Sequence, residues 1–336
     1  MSSAQLAAEV ANAGGLGSYG ATTLSPTQIK ETVQEIRERT THPFSMNLWV
    51  STSDEAAKRT SQEQLQRSAE LMHAYFADLG LPRPPLPELQ TQQFEAQVKA
   101  LLDARPPVAS FIFGIPPAEM LQECRRLGIV TIGTATTRDE AKAIADAGMD
   151  LVVASGFEGG GHRGSFIRSA EASLTGSFAL IPQIEDQVSI PVIAAGGIAD
   201  ARGVVAALVL GADAVQIGTA FLVCEGSGIS PLHRELLFTE AAKHTSLSGH
   251  FSGRLARGLR NRFVEDMEHS AHAPLPFPLQ SALLRPYTQE ALKQGRGDLL
   301  ALWAGQAAPL MRHKTVSNLM RSLIEETTKM FEQLAL

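Results

Sequence analysis

The chain has 336 residues, of which 44% are apolar, 19% charged and 6% aromatic, the composition of a folded globular enzyme rather than a disordered or fibrous chain. Its formal net charge of −6 offers no basic footprint for nucleic acid or an anionic membrane; no apolar run approaches the roughly 20 residues that span a bilayer, and no basic-then-apolar leader opens the chain. The two cysteines, Cys124 and Cys224, form no CxxC pair, so they fit thiols in a reducing cytoplasm better than a disulfide framework or a metal site.

Taken in order, the elements alternate. SSAQLAAEVANAGG predicts a helix with a serine cap and a glycine stop, and LGSYG a short strand. SPTQIKETVQEIRERT predicts a helix capped by Ser25, with Pro26 in its first turn, and FSMNLWV a strand. Residues 51–90, with the stiff LPRPPLPE, interrupt the rhythm and read as an insertion on a strand-to-helix loop. Helix and strand then alternate through TQQFEAQVKALLDA and VASFIFG, PAEMLQECRRLG and IVTIGTA, TRDEAKAIADAG and MDLVVASG. After a glycine-rich loop and a further helix come the strand IPVIAAGG, the helix DARGVVAALVLG and the strand ADAVQIGTA. Near-continuous apolar strands separated by helices predict a parallel sheet covered on both faces.

Seven such strands are visible, whereas a closed TIM-type (β/α)8 barrel has eight. The chain opens on a helix, so the expectation is a barrel whose first strand is missing through a late assigned start. A doubly wound open sheet is the alternative, but no GxGxxG opens any helix. From about Ser230 the apolar strands stop. Residues 1–229 are therefore expected to form the barrel, with its insertion near 51–90, and residues 230–336 a mostly helical part beside the barrel mouth. The oligomeric state, a homo-oligomer included, stays open.

Barrel active sites lie at the C-terminal ends of the strands. The residues there are Asn47, Gly114, Gly133, Thr134, Ser155 to Arg163, Gly196, Gly197, Gln216, Gly218 and Thr219. So many strand ends without side chains suggest a large flat ligand across the mouth. Gly196 and Gly197 in AAGGI, then Gly218 and Thr219 in QIGTA, place backbone amides after the last two strands, where barrels hold phosphate. Close helix-on-strand packing would also explain these glycines. In SGFEGGGHRG, Ser155, Gly156 and Gly161 lead into His162, poised to take a proton near neutral pH. A loop histidine capping a carbonyl is the blander explanation. Glu158 is placed to orient the ring or to stay solvated, and Arg163 to meet an anionic substrate or a nearby acid.

SGFEGGGHRG, PVIAAGGIAD and GADAVQIGTAFL resemble the nitronate monooxygenases, formerly 2-nitropropane dioxygenases, as do LAAEVANAGGLGSYG, PFSMNLWVS, SGRLARGLRNRF and WAGQAAPL. The resemblance covers nearly the whole chain. It implies an FMN-containing barrel with the phosphate at Gly196, Gly197, Gly218 and Thr219. Asn47 and Gln216 would contact the flavin or its ribityl chain, and Gly133, Ser155, Gly156 and Gly161 would line the cofactor site. His162 would be the catalytic base. It further implies oxidation of alkyl nitronates such as propionate 3-nitronate with O₂, giving a carbonyl compound and nitrite. Two departures stand out. The family's opening strand ends in a Pro-Met-Ala-Gly type segment, of which only Met1 remains, and some members carry lysine where this chain has Gly133. The rival resemblance is to flavin-dependent enoyl-acyl-carrier-protein reductases, which share the barrel, FMN and the GGH motif but take hydride from NAD(P)H.

Overall fold

The computed structural model describes residues 1–89, 94–270 and 272–334. Serine and threonine caps open many of the helices, as expected of residues whose hydroxyls satisfy the first free amides. Ser3 caps α1 (Ala4–Asn12). Ser25 forms a full capping box on α2 (Pro26–Arg39), with Pro26 in the first turn. Between them lies β1 (Gly17–Gly20), and after them β2 (Phe44–Trp49), α3 (Glu55–Lys58), α4 (Gln62–Asp78), α5 (Phe94–Ala104) and β3 (Val108–Ile112). The first residues of the helix expected at 91–104 lie outside the described residues. Then follow α6 (Ala118–Arg126), β4 (Val130–Ala135), α7 (Arg138–Asp146), β5 (Leu151–Ser155), β6 (Gly161–His162), α8 (Ser177–Glu185), β7 (Val192–Ala195), α9 (Ala201–Val209), β8 (Ala214–Gln216) and α10 (Thr219–Leu222).

Seven strands form one parallel sheet in the order β1-β2-β3-β4-β5-β7-β8, curled like part of a TIM barrel and flanked by helices. Because side chains alternate across a strand, each strand serves two layers. Met46, Leu48, Phe111, Val152 and Ala194 point outward into the core shared with the helices. Val108, Ile132, Val153 and Ala195 form a small cluster on the inner face. Among the described residues β1 and β8 are the two edges of the sheet. Met1 to Ser3 link the end of β1 to the loop after α10. Gly20 N–H donates to Ser2 Oγ at 2.9 Å, Ser3 Oγ donates to Gly226 O, and Gly228 N–H donates to Met1 O at 2.8 Å.

The remaining elements are α11 (Pro231–Leu236), β9 (Thr245–Ser248), β10 (Ala256–Leu259), α12 (Arg262–Glu268), α13 (Leu279–Lys293) and α14 (Val316–Leu334). A second apolar core joins Leu65, Met72 and Phe76 of α4 to Phe263, Met267, Leu283 and Tyr287 of α12 and α13; the rings of Phe76 and Tyr287 stack at 5.8 Å. The segment that interrupts the barrel rhythm thus shares its core with the C-terminal region. The C-terminal region is mostly helical, but it also contains two strands that the sequence did not announce. β10 pairs antiparallel with β9 and with β6, building a three-stranded sheet around the glycine loop. All four β10 residues are buried, so ARGL shows no apolar–polar alternation and its period of two cannot be seen.

Candidate active site

The loop after β5 carries His162. Gly161 adopts a φ of 79°, a left-handed conformation that glycine takes at little cost. A Cβ on Gly160 would sit 2.5 Å from Gly305 N, so backbone packs on backbone there. Beyond the glycines, pairing of His162 with Ala256 makes the loop end a strand.

The two charged neighbours hold this loop. Glu158 neither orients the ring nor stays solvated: its carboxylate accepts from Ser177 N–H at 2.8 Å and from Ser177 Oγ at 3.0 Å. Arg163 is buried, at 2% exposure, and meets neither an acid nor open space. It donates to Gly156 O at 2.6 Å and Ser155 O at 2.9 Å, tying down carbonyls that would otherwise be buried unpaired. Burial pulls its guanidinium down to about 10, which leaves it charged at neutral pH.

Around the His162 imidazole stand Trp49 at 4.9 Å, Trp303 at 5.3 Å and Phe113 at 6.3 Å between ring centroids. Nε2 lies 2.8 Å from Ser252 Oγ. Phe113 has a φ of 64°, a costly conformation for a bulky residue that is characteristic of functional sites. Arg254 lies over the Phe113 ring at 4.2 Å and the Phe277 ring at 4.5 Å. Its guanidinium also holds Asp54 at 2.8 Å and Ser51 O at 2.9 Å, pinning the start of the insertion over the mouth. Burial, with the charge of Arg254 second, pulls His162 down to about 4, so the ring is neutral at physiological pH.

His233 is also drawn down to about 4, chiefly by burial; its Nε2 lies 3.2 Å from Trp303 O. An unfolded histidine titrates near 6.5. Between about pH 6.5 and 4 the unfolded chain therefore binds protons that the folded chain refuses, and stability falls as the pH is lowered through that window. His233→Gln, which keeps a donor for Trp303 O, is expected to flatten the fall. Thermal melts at pH 7.5, 6 and 5 check this; equal slopes in variant and wild type would refute it.

The second feature is a glycine recess after β7 and β8. Gly196 and Gly197 have φ of 101° and 75°, and a Cβ on Gly196 would come 2.9 Å from Gly156 O. A Cβ on Gly218 would meet nothing within 4 Å. Among the described residues, the amides of Gly197, Gly218 and Thr219 donate no hydrogen bond. Thr219 Oγ1 accepts from Gly305 N–H at 3.0 Å, leaving its own proton to give. Gln306 N–H donates to Glu158 O at 2.9 Å. The segment from Trp303 to Gln306 thus ties the histidine loop to the recess. Unpaired amides and one free hydroxyl proton, beside a cluster of glycines, suit a phosphate.

The other sequence candidates divide by face. Asn47, Ser155 and Gln216 alternate with outward core residues and so face inward near the strand ends. Asn47 Nδ2 donates to Ser110 Oγ at 3.0 Å, Ser155 Oγ accepts from Arg163 at 3.4 Å, and Gln216 is exposed. A Cβ on Gly156 would lie 1.9 Å from Ser177 Oγ, so this residue allows α8 to approach. Gly133 faces outward, where a Cβ would lie 2.7 Å from Ile144 of α7; helix packing accounts for it, and Thr134 is its inward neighbour. Sequence reasoning did not single out Trp49, Phe113, Ser252, Arg254 and Trp303. Three of them lie in SGRLARG and WAGQ, which carried the resemblance but no roles.

A family model described as nitronate monooxygenase matches residues 1–326. A probable nitronate monooxygenase of Staphylococcus haemolyticus (strain JCSC1435) is 38% identical over 325 residues, 96% of this chain and 90% of that protein. One from Staphylococcus aureus (strain JH9) is 36% identical, covering 98% of this chain and 92% of its own length. A solved nitroalkane oxidase from Streptomyces ansochromogenes superposes with a TM-score of 0.91 at 34% identity, covering 99% of this chain and 94% of that one. FabK from Thermotoga maritima superposes less closely, with a TM-score of 0.72 at 28% identity, covering 99% of this chain and 91% of that one.

Proposed function

The chain belongs to the nitronate monooxygenase family, flavin-dependent oxidoreductases, and on that premise we propose that it binds FMN and oxidises alkyl nitronates, such as propionate 3-nitronate, with O₂ to a carbonyl compound and nitrite. The observation that carries this reading is a neutral imidazole on a glycine loop that packs against the recess. A Cβ on Gly159 would lie 3.6 Å from Gly196 Cα, so the loop that carries His162 packs directly on the turn after β7.

Gly197, Gly218 and Thr219 would hold the FMN phosphate through unpaired amides, with Gly196 shaping the turn. Asn47 and Gln216, on the inner face near the strand ends, would contact the flavin or its ribityl chain. FMN, when bound, would supply the redox chemistry that links the substrate to oxygen. His162 takes the α-proton from a neutral nitroalkane. A preformed nitronate has already lost that proton and needs the loop only for placement. Trp49, Phe113 and Trp303 give the alkyl chain a dry wall, and Arg254 contributes a positive field that favours an anion over a neutral ligand. Among the described residues no helix is long and apolar enough to cross a membrane.

The test is anaerobic stopped-flow mixing of the flavin-loaded enzyme with propionate 3-nitronate and, separately, with NADH. Fast loss of flavin absorbance is expected with the nitronate and only slow loss with NADH. Rapid bleaching by NADH with none by nitronate would overturn the reading in favour of the enoyl reductase.

A further inference from the structure

We infer that Ser252 is a positioning residue that holds His162 in the tautomer protonated at Nε2, making Nδ1 the atom that takes the substrate proton. This rests on the reading of His162 as the base.

The argument is a count of protons. Ser252 Oγ has three polar neighbours: His162 Nε2 at 2.8 Å, Arg254 O at 3.1 Å and Arg254 N at 3.3 Å. A serine hydroxyl has one proton to give. The Arg254 carbonyl can only accept, so the proton goes there; the Arg254 amide can only donate. Were the proton turned towards Nε2 instead, Oγ and the carbonyl would face each other lone pair to lone pair. Oγ is therefore an acceptor towards the ring, and Nε2 must carry hydrogen. A neutral imidazole has one N–H, which leaves the lone pair on Nδ1. Nδ1 has no hydrogen-bond partner among the described residues, and it is not among the polar atoms sealed away from solvent without one.

The serine cannot drift from this place. It is buried at 5% exposure. The amides of Ser252 and Gly253 both donate to Gly249 O, at 3.2 and 2.7 Å. Gly253 has a φ of 92° and packs so closely that a Cβ would come 2.4 Å from Leu275 O. The turn is thus fixed between the histidine loop and the segment leading into α13. One short stretch, Ser252 to Arg254, supplies the ring with both its acceptor and its nearby positive charge.

Two measurements test the inference. The nitrogen shifts of His162 in protein labelled with ¹⁵N-histidine, assigned by comparison with His162→Ala, report the tautomer of the wild type directly. Protonation at Nε2 with a bare Nδ1 is expected; protonation at Nδ1 would overturn the inference without recourse to any serine variant. Ser252→Ala is expected to lower kcat on a neutral nitroalkane by about tenfold, the worth of one ordinary hydrogen bond, a larger loss than on the matching nitronate, with flavin still bound and with nitroalkane activity recovered in Ser252→Thr. Full nitroalkane turnover in Ser252→Ala, with His162→Ala inactive, would sink the inference and leave the base standing. Full nitroalkane turnover in His162→Ala would sink the base itself.

Discussion

His162→Ala is expected to cut oxidation of a neutral nitroalkane by about 10²- to 10⁴-fold, the usual contribution of a general base, while slowing oxidation of the matching nitronate only modestly. The asymmetry follows from where the proton is. A nitroalkane must lose its α-proton to a side chain, and the imidazole, kept neutral by burial and by Arg254, is the group proposed to take it. A nitronate arrives without that proton. Oxygen uptake with nitroethane and with ethyl nitronate, compared as kcat/KM at pH 7.5, separates the two. Similar losses on both substrates would mean that His162 acts in binding or in shaping the loop, not as a base. The alanine leaves the loop intact, since Arg163, Glu158 and the pairing with β10 hold it independently.

Much of this geometry was legible in the sequence because it is written in backbone requirements. Seven apolar strands between capped helices specify the parallel sheet, and the glycines after the last two of those strands specify a recess. His162 stood out because it ends a run of glycines. What stayed hidden depends on contacts between distant parts of the chain. Ser252 and Arg254 reach the ring only because β10 pairs with β6, a register that two fully or partly buried strands of four and two residues cannot advertise. Trp49 and Phe113 sit at strand ends and look like ordinary core residues until their rings are seen around the imidazole. Glu158 and Arg163 were ambiguous for a related reason. A charged residue in a loop says nothing about whether its partners are solvent, substrate or, as here, the protein's own amide and carbonyl groups. Gly133 shows the converse: a glycine near a strand end can exist for the helix behind it.

The recess makes the sharpest demand on the fold, and two substitutions probe it differently. Gly218 has φ −102° and ψ −66°, a region open to any residue, and a Cβ there meets nothing within 4 Å. Gly218→Leu therefore adds a side chain beside the unpaired amides with no backbone strain and no clash at its first carbon. It is expected to melt near the wild-type temperature when both are stripped of cofactor, and to purify with little or no flavin. Gly197→Leu is expected to empty the site as well, but it also forces a φ of 75° on a residue with a Cβ, at about 1–2 kcal/mol. Its cofactor-free form should melt lower. Flavin content from the absorbance spectrum and melting temperature of the stripped proteins are the two readings. If both variants kept full flavin, these glycines would serve only helix-on-strand packing, and the phosphate would have to lie elsewhere on the barrel mouth. If Gly218→Leu lost flavin only in proportion to lost stability, the recess would be a structural hinge instead of a ligand site. Flavin lost from a stable Gly218→Leu is the result that the unpaired amides predict, because filling the space in front of them removes the ligand and nothing else.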